Sequence, residues 1–181
     1  GKVFIGGYPD YGLLGGAIGV YDPKKNEKRV YRHVIQNQSI ASLAYIEKLD
    51  LIAGGGSILG GTGTHAVEKE AKLMLWDPKE EKKTFEIVPV PEAKIILSLA
   101  ATVEGLLYGI TNNGKVFVFD PEKKEIRKIF DLGFEEPCEI SLQLGPELRL
   151  YGLAKEAIFF IDLKSDQVSL KFAFSPYCIN D

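Results

Sequence analysis

Val20-Tyr21-Asp22-Pro23-Lys24-Lys25-Asn26 decides the fold, because its core is written three more times along the chain. Trp76-Asp77-Pro78, Phe119-Asp120-Pro121 and Ile161-Asp162-Leu163 each close an apolar run, and the four Asp residues stand 55, 43 and 42 positions apart. In such a turn Pro presets its own φ, and the preceding Asp can accept hydrogen bonds from the turn backbone. Each motif therefore reads as a tight hairpin between two strands.

Two further landmarks keep the same period. Val3-Phe4-Ile5-Gly6, Leu51-Ile52-Ala53-Gly54, Leu106-Leu107-Tyr108-Gly109 and Leu150-Tyr151-Gly152 are short β-prone runs that stop at glycine. Ser42-Leu43, Ser98-Leu99 and Ser141-Leu142 precede three of them by 11 or 12 residues. Each unit parses as four strands: A at Ser-Leu, B ending at Gly, C ending at Asp, and D after the turn. The D strands are expected over 29–34, 84–88, 125–130 and 168–174, and the alternation Val168-Ser169-Leu170-Lys171-Phe172 gives the last of them one buried face.

An array of four-stranded units at this period is a β-propeller. The fold expected is all-β: a single propeller region, 1–181, of about four blades. The blades run 1–38 (strands B to D), 39–92, 93–135 and 136–175, with 176–181 as a tail or linker. The first blade lacks its inner strand, so the region is expected to belong to a larger propeller or one completed by oligomerisation. Unpaired edges invite self-association or additional blades.

Composition fits a packed chain, with 45% hydrophobic and 26% charged residues and 19 Gly for turns. The formal charge is −3 and Lys alternates with Glu in the turns, so no basic stripe is expected and nucleic acid is not expected as a partner. A membrane is not expected either, since no apolar run reaches the ~20 residues of a span. The compartment stays open, cytoplasmic or secreted. Cys138 and Cys178 occupy corresponding places in successive units and are expected as free thiols.

Known repeat families share these landmarks. Val3-Phe4-Ile5-Gly6-Gly7-Tyr8 with Val20-Tyr21-Asp22-Pro23, and Leu51-Ile52-Ala53-Gly54-Gly55 with Trp76-Asp77-Pro78, resemble kelch blades. Tyr108-Gly109 and Lys115-Val116-Phe117-Val118-Phe119-Asp120 look like blades of bacterial quinoprotein-like and YVTN-type propellers. Lys28 and Lys83 stand near the place of the kelch tryptophan. The WD40 pattern fits less well: the Gly-His dipeptide is missing and Trp76-Asp77 occurs once. These resemblances imply a fold and carry no catalytic residue across; function has to come from a site.

Loop length locates that site. The first two B-to-C connections are longer than the last two, and in a propeller these loops share a face with the D-to-A linkers. Long loops on a rigid scaffold are disproportionately functional. The first insertion offers Tyr8, Asp10 and Tyr11, the second Thr64, His65 and Glu68, and the linker between them Gln36, Asn37 and Gln38. Aromatic platforms beside amides and carboxylates suit a polar ligand with apolar faces. The expected function is non-catalytic recognition of a saccharide or other polar small molecule on this face. A protein-interaction scaffold is the alternative, and a lyase or hydrolase using His65 with a loop acid the third reading.

No cofactor is expected. Gly60-Gly61-Thr62-Gly63-Thr64 lacks the Lys-Ser/Thr of a phosphate-binding loop. A metal on His65 with Glu68 or Glu70 is a minor alternative. Trp76, aligned with Tyr21, Phe119 and Ile161, is expected to pack between sheets, and the Lys-Glu turns to be solvated hairpins on the opposite face.

Overall fold

A computed structural model describes residues 1–133, 142–154, 157–165 and 167–173, and within them fifteen strands form four antiparallel sheets. The first sheet holds β1 (Val3–Gly7), β2 (Ala17–Asp22) and β3 (Glu27–Arg32). The second holds β4 (Ser39–Ile46), β5 (Leu51–Ser57), β6 (Leu73–Asp77) and β7 (Lys82–Ile87). The third follows with β8 (Ile96–Ala101), β9 (Leu107–Thr111), β10 (Lys115–Asp120) and β11 (Glu125–Asp131). β12 (Gln143–Gly145), β13 (Arg149–Ala154), β14 (Ala157–Asp162) and β15 (Gln167–Ala173) make the fourth. Within each sheet, spatial order follows chain order, which is the blade of a propeller, and the first blade is one strand short. Cys138, Ser141 and Cys178 lie outside the described residues.

The repeated Asp works locally, which is why it repeats. Asp22 accepts the backbone N–H of Lys24 and Lys25 at 3.0 and 3.3 Å, and Asp77 those of Lys79 and Glu80 at 2.8 and 3.0 Å. Asp120 does the same for Glu122 and Lys123 at 3.0 and 3.1 Å, and Asp162 for Lys164 and Ser165 at 2.9 and 3.2 Å. The backbone donors hold the carboxyls of Asp77 and Asp162 below the usual carboxylate range. Asp120 differs in being buried and in pairing with Arg127 at 2.5 Å. Burial opposes its ionisation, and its backbone donors and Arg127 outweigh that, leaving its carboxyl lowered as well. Of the four Asp→Ala substitutions, Asp120→Ala is therefore expected to lower the melting temperature most. Thermal denaturation of the four variants side by side checks that order.

The glycines expected to end the second strand lie inside it in the last three blades, where they leave room for the strand beside them. Gly54, Gly109 and Gly152 sit opposite Met74, Phe117 and Phe159 in the ladders, and a Cβ on any of them would run into that partner's side chain.

Stacking makes three cores. Ile18 and Val20 pack with Ile52, Met74 and Trp76 between the first two blades, where Trp76 is 2% exposed and tilts against Tyr31 at a ring separation of 4.9 Å. Leu73 and Leu75 meet Leu99, Leu107, Phe117 and Phe119 between the second and third. Tyr108, Val116 and Val118 meet Leu150, Phe159 and Ile161 between the third and fourth. The Ser-Leu landmark also joins blades: the Ser42 hydroxyl donates to the carbonyl of Ile96 at 2.8 Å, and Leu142 N–H donates to Ser98 Oγ at 2.7 Å. The first strands of the four sheets pack in order, β1 on β4, β4 on β8 and β8 on β12, so the described residues form an arc around a shared axis.

Candidate functional site

Both long loops and the linker between the first two blades emerge at one end of this arc, and they interlock. Gly12 N–H donates to Thr62 O at 3.0 Å and Gly61 N–H to Leu13 O at 2.9 Å, so the insertions 8–16 and 58–72 are cross-bonded through their backbones. Glycine is required at the crossing: a Cβ on Gly61 would collide with the Asp10 carbonyl. Gly63, at φ +84°, lies against the Tyr11 ring. The glycine-rich stretch is thus a contact surface between two loops.

The linker ties this pair to the blades. Gln38 is fully buried, and its side-chain amide donates to Glu70 O at 2.7 Å and accepts from Lys72 N–H at 3.0 Å. Ser39 Oγ donates to Leu59 O at 2.7 Å, and Gly16 N–H to Gln38 O at 2.8 Å. At the surface the Asn37 amide donates to Glu68 at 3.0 Å and accepts from Gln36 at 3.1 Å. Asp10 accepts its neighbour Tyr11 N–H at 2.7 Å, and Thr64 Oγ1 donates to Gly61 O at 2.7 Å. The structure thus brings Tyr11 to the second insertion and Gln36, Asn37 and Glu68 together. It seals Gln38 beneath them and leaves His65 exposed.

On this base stand exposed apolar side chains, the two tyrosines the sequence singled out and three aliphatic residues it passed over. Tyr8, Tyr11, Leu13, Leu59 and Val67 are 51%, 75%, 53%, 49% and 62% exposed, and all five belong to the two insertions. The signal for Leu13, Leu59 and Val67 is in the sequence, as branched apolar residues inside glycine-rich loops. Among the described residues no group of three or more His, Cys, Asp or Glu is placed to hold a metal ion.

Beside this crown, on the axis, opens a cavity of about 500 Å³. Residues 41–43 of β4, Ile95 and residues 97–99 at β8, and Leu142 and Gln143 at the start of β12 line it together with Tyr8, so its walls are mixed polar and apolar. β4 pairs with β5 across a bulge between Ile40 and Ser42, and β8 with β9 across a bulge between Ile96 and Ser98. Ala41 and Leu97 are the extra residues, at the same place in successive blades.

The opposite end is less uniformly solvated than the Lys-Glu turns imply. Glu81, its side chain 9% exposed, accepts Lys2 Nζ at 2.5 Å, Arg29 Nη1 at 2.8 Å and the Tyr31 hydroxyl, all from the first blade. Lys2 foremost, then Tyr31 and Arg29, push its carboxyl down to about 2.

No protein-family model matches the chain, and no curated protein matches it. Solved structures do, and they define the class as a β-propeller. The chain is similar to the structure of U3-55K, at a TM-score of 0.67 and 10% identity over 87% of this chain and 47% of that one. It is equally similar to the WD40 repeats of RRP9, at a TM-score of 0.68 and 9% identity over 87% of this chain and 47% of that one. The chain thus spans about half the length of the propellers it matches.

These comparisons correct the sequence reading once. The backbone follows a propeller of WD40 repeats over most of its length, a likeness of fold. The exclusion of nucleic acid as a partner falls, overturned by the likeness to U3-55K and RRP9. It rested on the net charge of −3 and on Lys alternating with Glu along the turns, and neither describes how charges from distant parts of the chain gather in space. Among the described residues no helix is long and apolar enough to cross a membrane.

Proposed function

We propose that this chain is a single propeller region, with blades at 1–38, 39–92, 93–135 and 136–175, that acts as a non-catalytic scaffold holding a partner protein on the crown. The observation that carries this reading is the set of five exposed apolar side chains on two cross-bonded insertions. Large apolar side chains held exposed on one pair of loops favour an interaction site, and tyrosine is enriched where interfaces are strongest. A crown already fixed by backbone hydrogen bonds loses little conformational entropy on binding. Asp10, Gln36, Asn37, Thr64, His65 and Glu68 supply its polar rim. The kelch-like character of the first two blades stays within this reading, resting on Gly6-Gly7 and Gly54-Gly55. A saccharide finds less support, because Gln38 is buried and Gln36, Asn37 and Glu68 bond to one another.

Affinity capture followed by calorimetry with the purified captured protein is the test. Tyr11→Asp with Leu13→Asp is expected to weaken binding by a factor of about 100 or more, as loss of central anchors does. Melting temperature should stay nearly unchanged, since both side chains are exposed, and Lys82→Glu on the opposite face should change neither quantity. A partner held equally well by the doubly substituted crown overturns the reading.

A further inference from the structure

The two ends of the arc present sheet faces built unlike those between the blades. On the first blade Ile18 and Val20 turn toward the second, so the alternating residues Val3, Ile5, Gly19, Tyr21 and Val30 share the other face. Val3, Ile5 and Val30 stand exposed there. On the fourth blade Leu150, Phe159 and Ile161 turn toward the third, which puts Tyr151, Leu153, Ile158 and Phe160 on the far face.

The side chains just before each turn Asp govern how blades meet. Three places before it stand Gly19, Met74, Phe117 and Phe159, and two places before it Val20, Leu75, Val118 and Phe160. Val20 shares a core with Met74, Leu75 with Phe117, and Val118 with Phe159. Each seam thus sets one larger side chain against one smaller, and the larger always comes from the later blade. The end faces reverse both sizes. A Cβ added to Gly19 would lie 3.8 Å from the Ile5 carbonyl oxygen and 4.0 Å from the Ile5 Cβ, so the face is hollow where its counterparts carry Met or Phe. The fourth blade carries Phe160 where its counterparts carry Val or Leu, and Tyr151 and the Arg149 guanidinium pack on that ring at 5.9 and 4.4 Å.

We propose that a second copy of this chain docks head to tail, its fourth blade stacking on the first blade of its neighbour so that Phe160 enters the hollow over Gly19, between Ile5 and Val30. The seam keeps one large side chain against one small, with the roles of the blades exchanged. Burial of the exposed apolar side chains drives it. Lys28 and Arg32 lie on the outermost strand of the first-blade face, at a rim where they keep their water. A contact of this heterologous kind either closes into a ring or runs on as a filament. Two copies close it, because four blades from each make eight, within the usual range of about 4 to 8, and the chain spans about half the length of the propellers it resembles. The crown lies on neither face, so this contact does not rest on it.

Sedimentation velocity of the protein over a dilution series is the test. A species of twice the chain mass should form, give way to monomer on dilution, and grow no further. Gly19→Leu, which fills the hollow, and Phe160→Ala, which removes the ring, should each raise the dimer dissociation constant by a factor of about 10 or more. A chain carrying both exchanges the two sizes and should dimerise better than Gly19→Leu alone. Tyr11→Asp with Leu13→Asp on the crown should leave dimerisation unchanged. If Phe160→Ala fails to fold, Gly19→Leu and Ile5→Asp, both on the open first-blade face, decide the matter.

A monomer at every concentration overturns the proposal, as does a dimer indifferent to Gly19→Leu and Ile5→Asp. Growth into long chains overturns the closed pair. Losses that simply add in the doubly substituted chain overturn the seating of Phe160 over Gly19. A dimer lost in the crown variant puts the contact on the crown and overturns the proposal, while capture of a partner protein by the crown stands or falls on its own measurement.

Discussion

Phe117→Ala is expected to destabilise the protein by about 4 kcal/mol, the usual cost of removing a fully buried aromatic ring. Phe117 is 0% exposed, reaches Leu99 and Leu107 in the core between the second and third blades, and lies across Gly109 on the adjoining strand. The pairing gives a sharper expectation. A Cβ on Gly109 would run into the same ring, so Gly109→Ala should cost about 2 kcal/mol by overpacking. In a Phe117→Leu background that cost should shrink, because the shorter side chain vacates the space the new methyl needs. Urea denaturation of the four proteins in this cycle measures the coupling, and strict additivity would refute the account of the glycine.

Glu81→Gln is the second large expected effect, at about 2 kcal/mol near neutral pH, since hydrogen bonds to a charged group are among the stronger polar contacts. The amide keeps the shape and loses the charge that Lys2 and Arg29 face. Its pH dependence has a definite sign. The folded carboxyl titrates at about 2 against an ordinary 4.5, so folding favours the ionised form. That stabilisation is complete above about 4.5 and drains away as pH falls toward 2. The gap between native protein and variant should therefore be widest at neutral pH and close in acid. Added salt should narrow it too, because the Lys2 and Arg29 side chains are 33% and 53% exposed. A gap that stays constant from pH 7 to about pH 2 would rule out the ion pairs as its source.

Fold and site differ in how far they could be read from the chain. The blades were legible because their requirements are local. Asp22, Asp77, Asp120 and Asp162 each bond to residues two and three places on, so the demand that places them leaves its trace within one short window. The glycines at 54, 109 and 152 recur for a similar reason, since one side chain on the adjoining strand imposes each. The Ser-Leu pairs were visible as landmarks while their work was not, because Ser42 reaches Ile96 and Ser98 reaches Leu142, across 54 and 44 residues.

The site obeys the same division. Loop length pointed to the end of the arc where the two insertions and the linker meet, and most of the chosen polar residues stand there. Burial of Gln38 could not be foreseen, because it depends on the backbone of Glu70 and Lys72 closing over it. Equally hidden were the bulges at Ala41 and Leu97, since an extra residue in a strand shows only against its partner's register. The Lys-Glu turn that holds Glu81 resembled its neighbours in composition, and only a first-blade Tyr and two cations at its side make it different.

The interlocked insertions have a consequence for how such a protein can change over generations. Gly12 meets Thr62 and Gly61 meets Leu13 through main-chain groups, and a side chain at Gly61 would collide with Asp10. Lengthening, shortening or decorating one loop therefore disturbs the other, and a variant that alters either alone surrenders the contacts of both. The two loops form one unit of inheritance. Their lengths should covary among descendants that keep the same partner, and a loop transplanted singly onto another propeller should arrive without its shape.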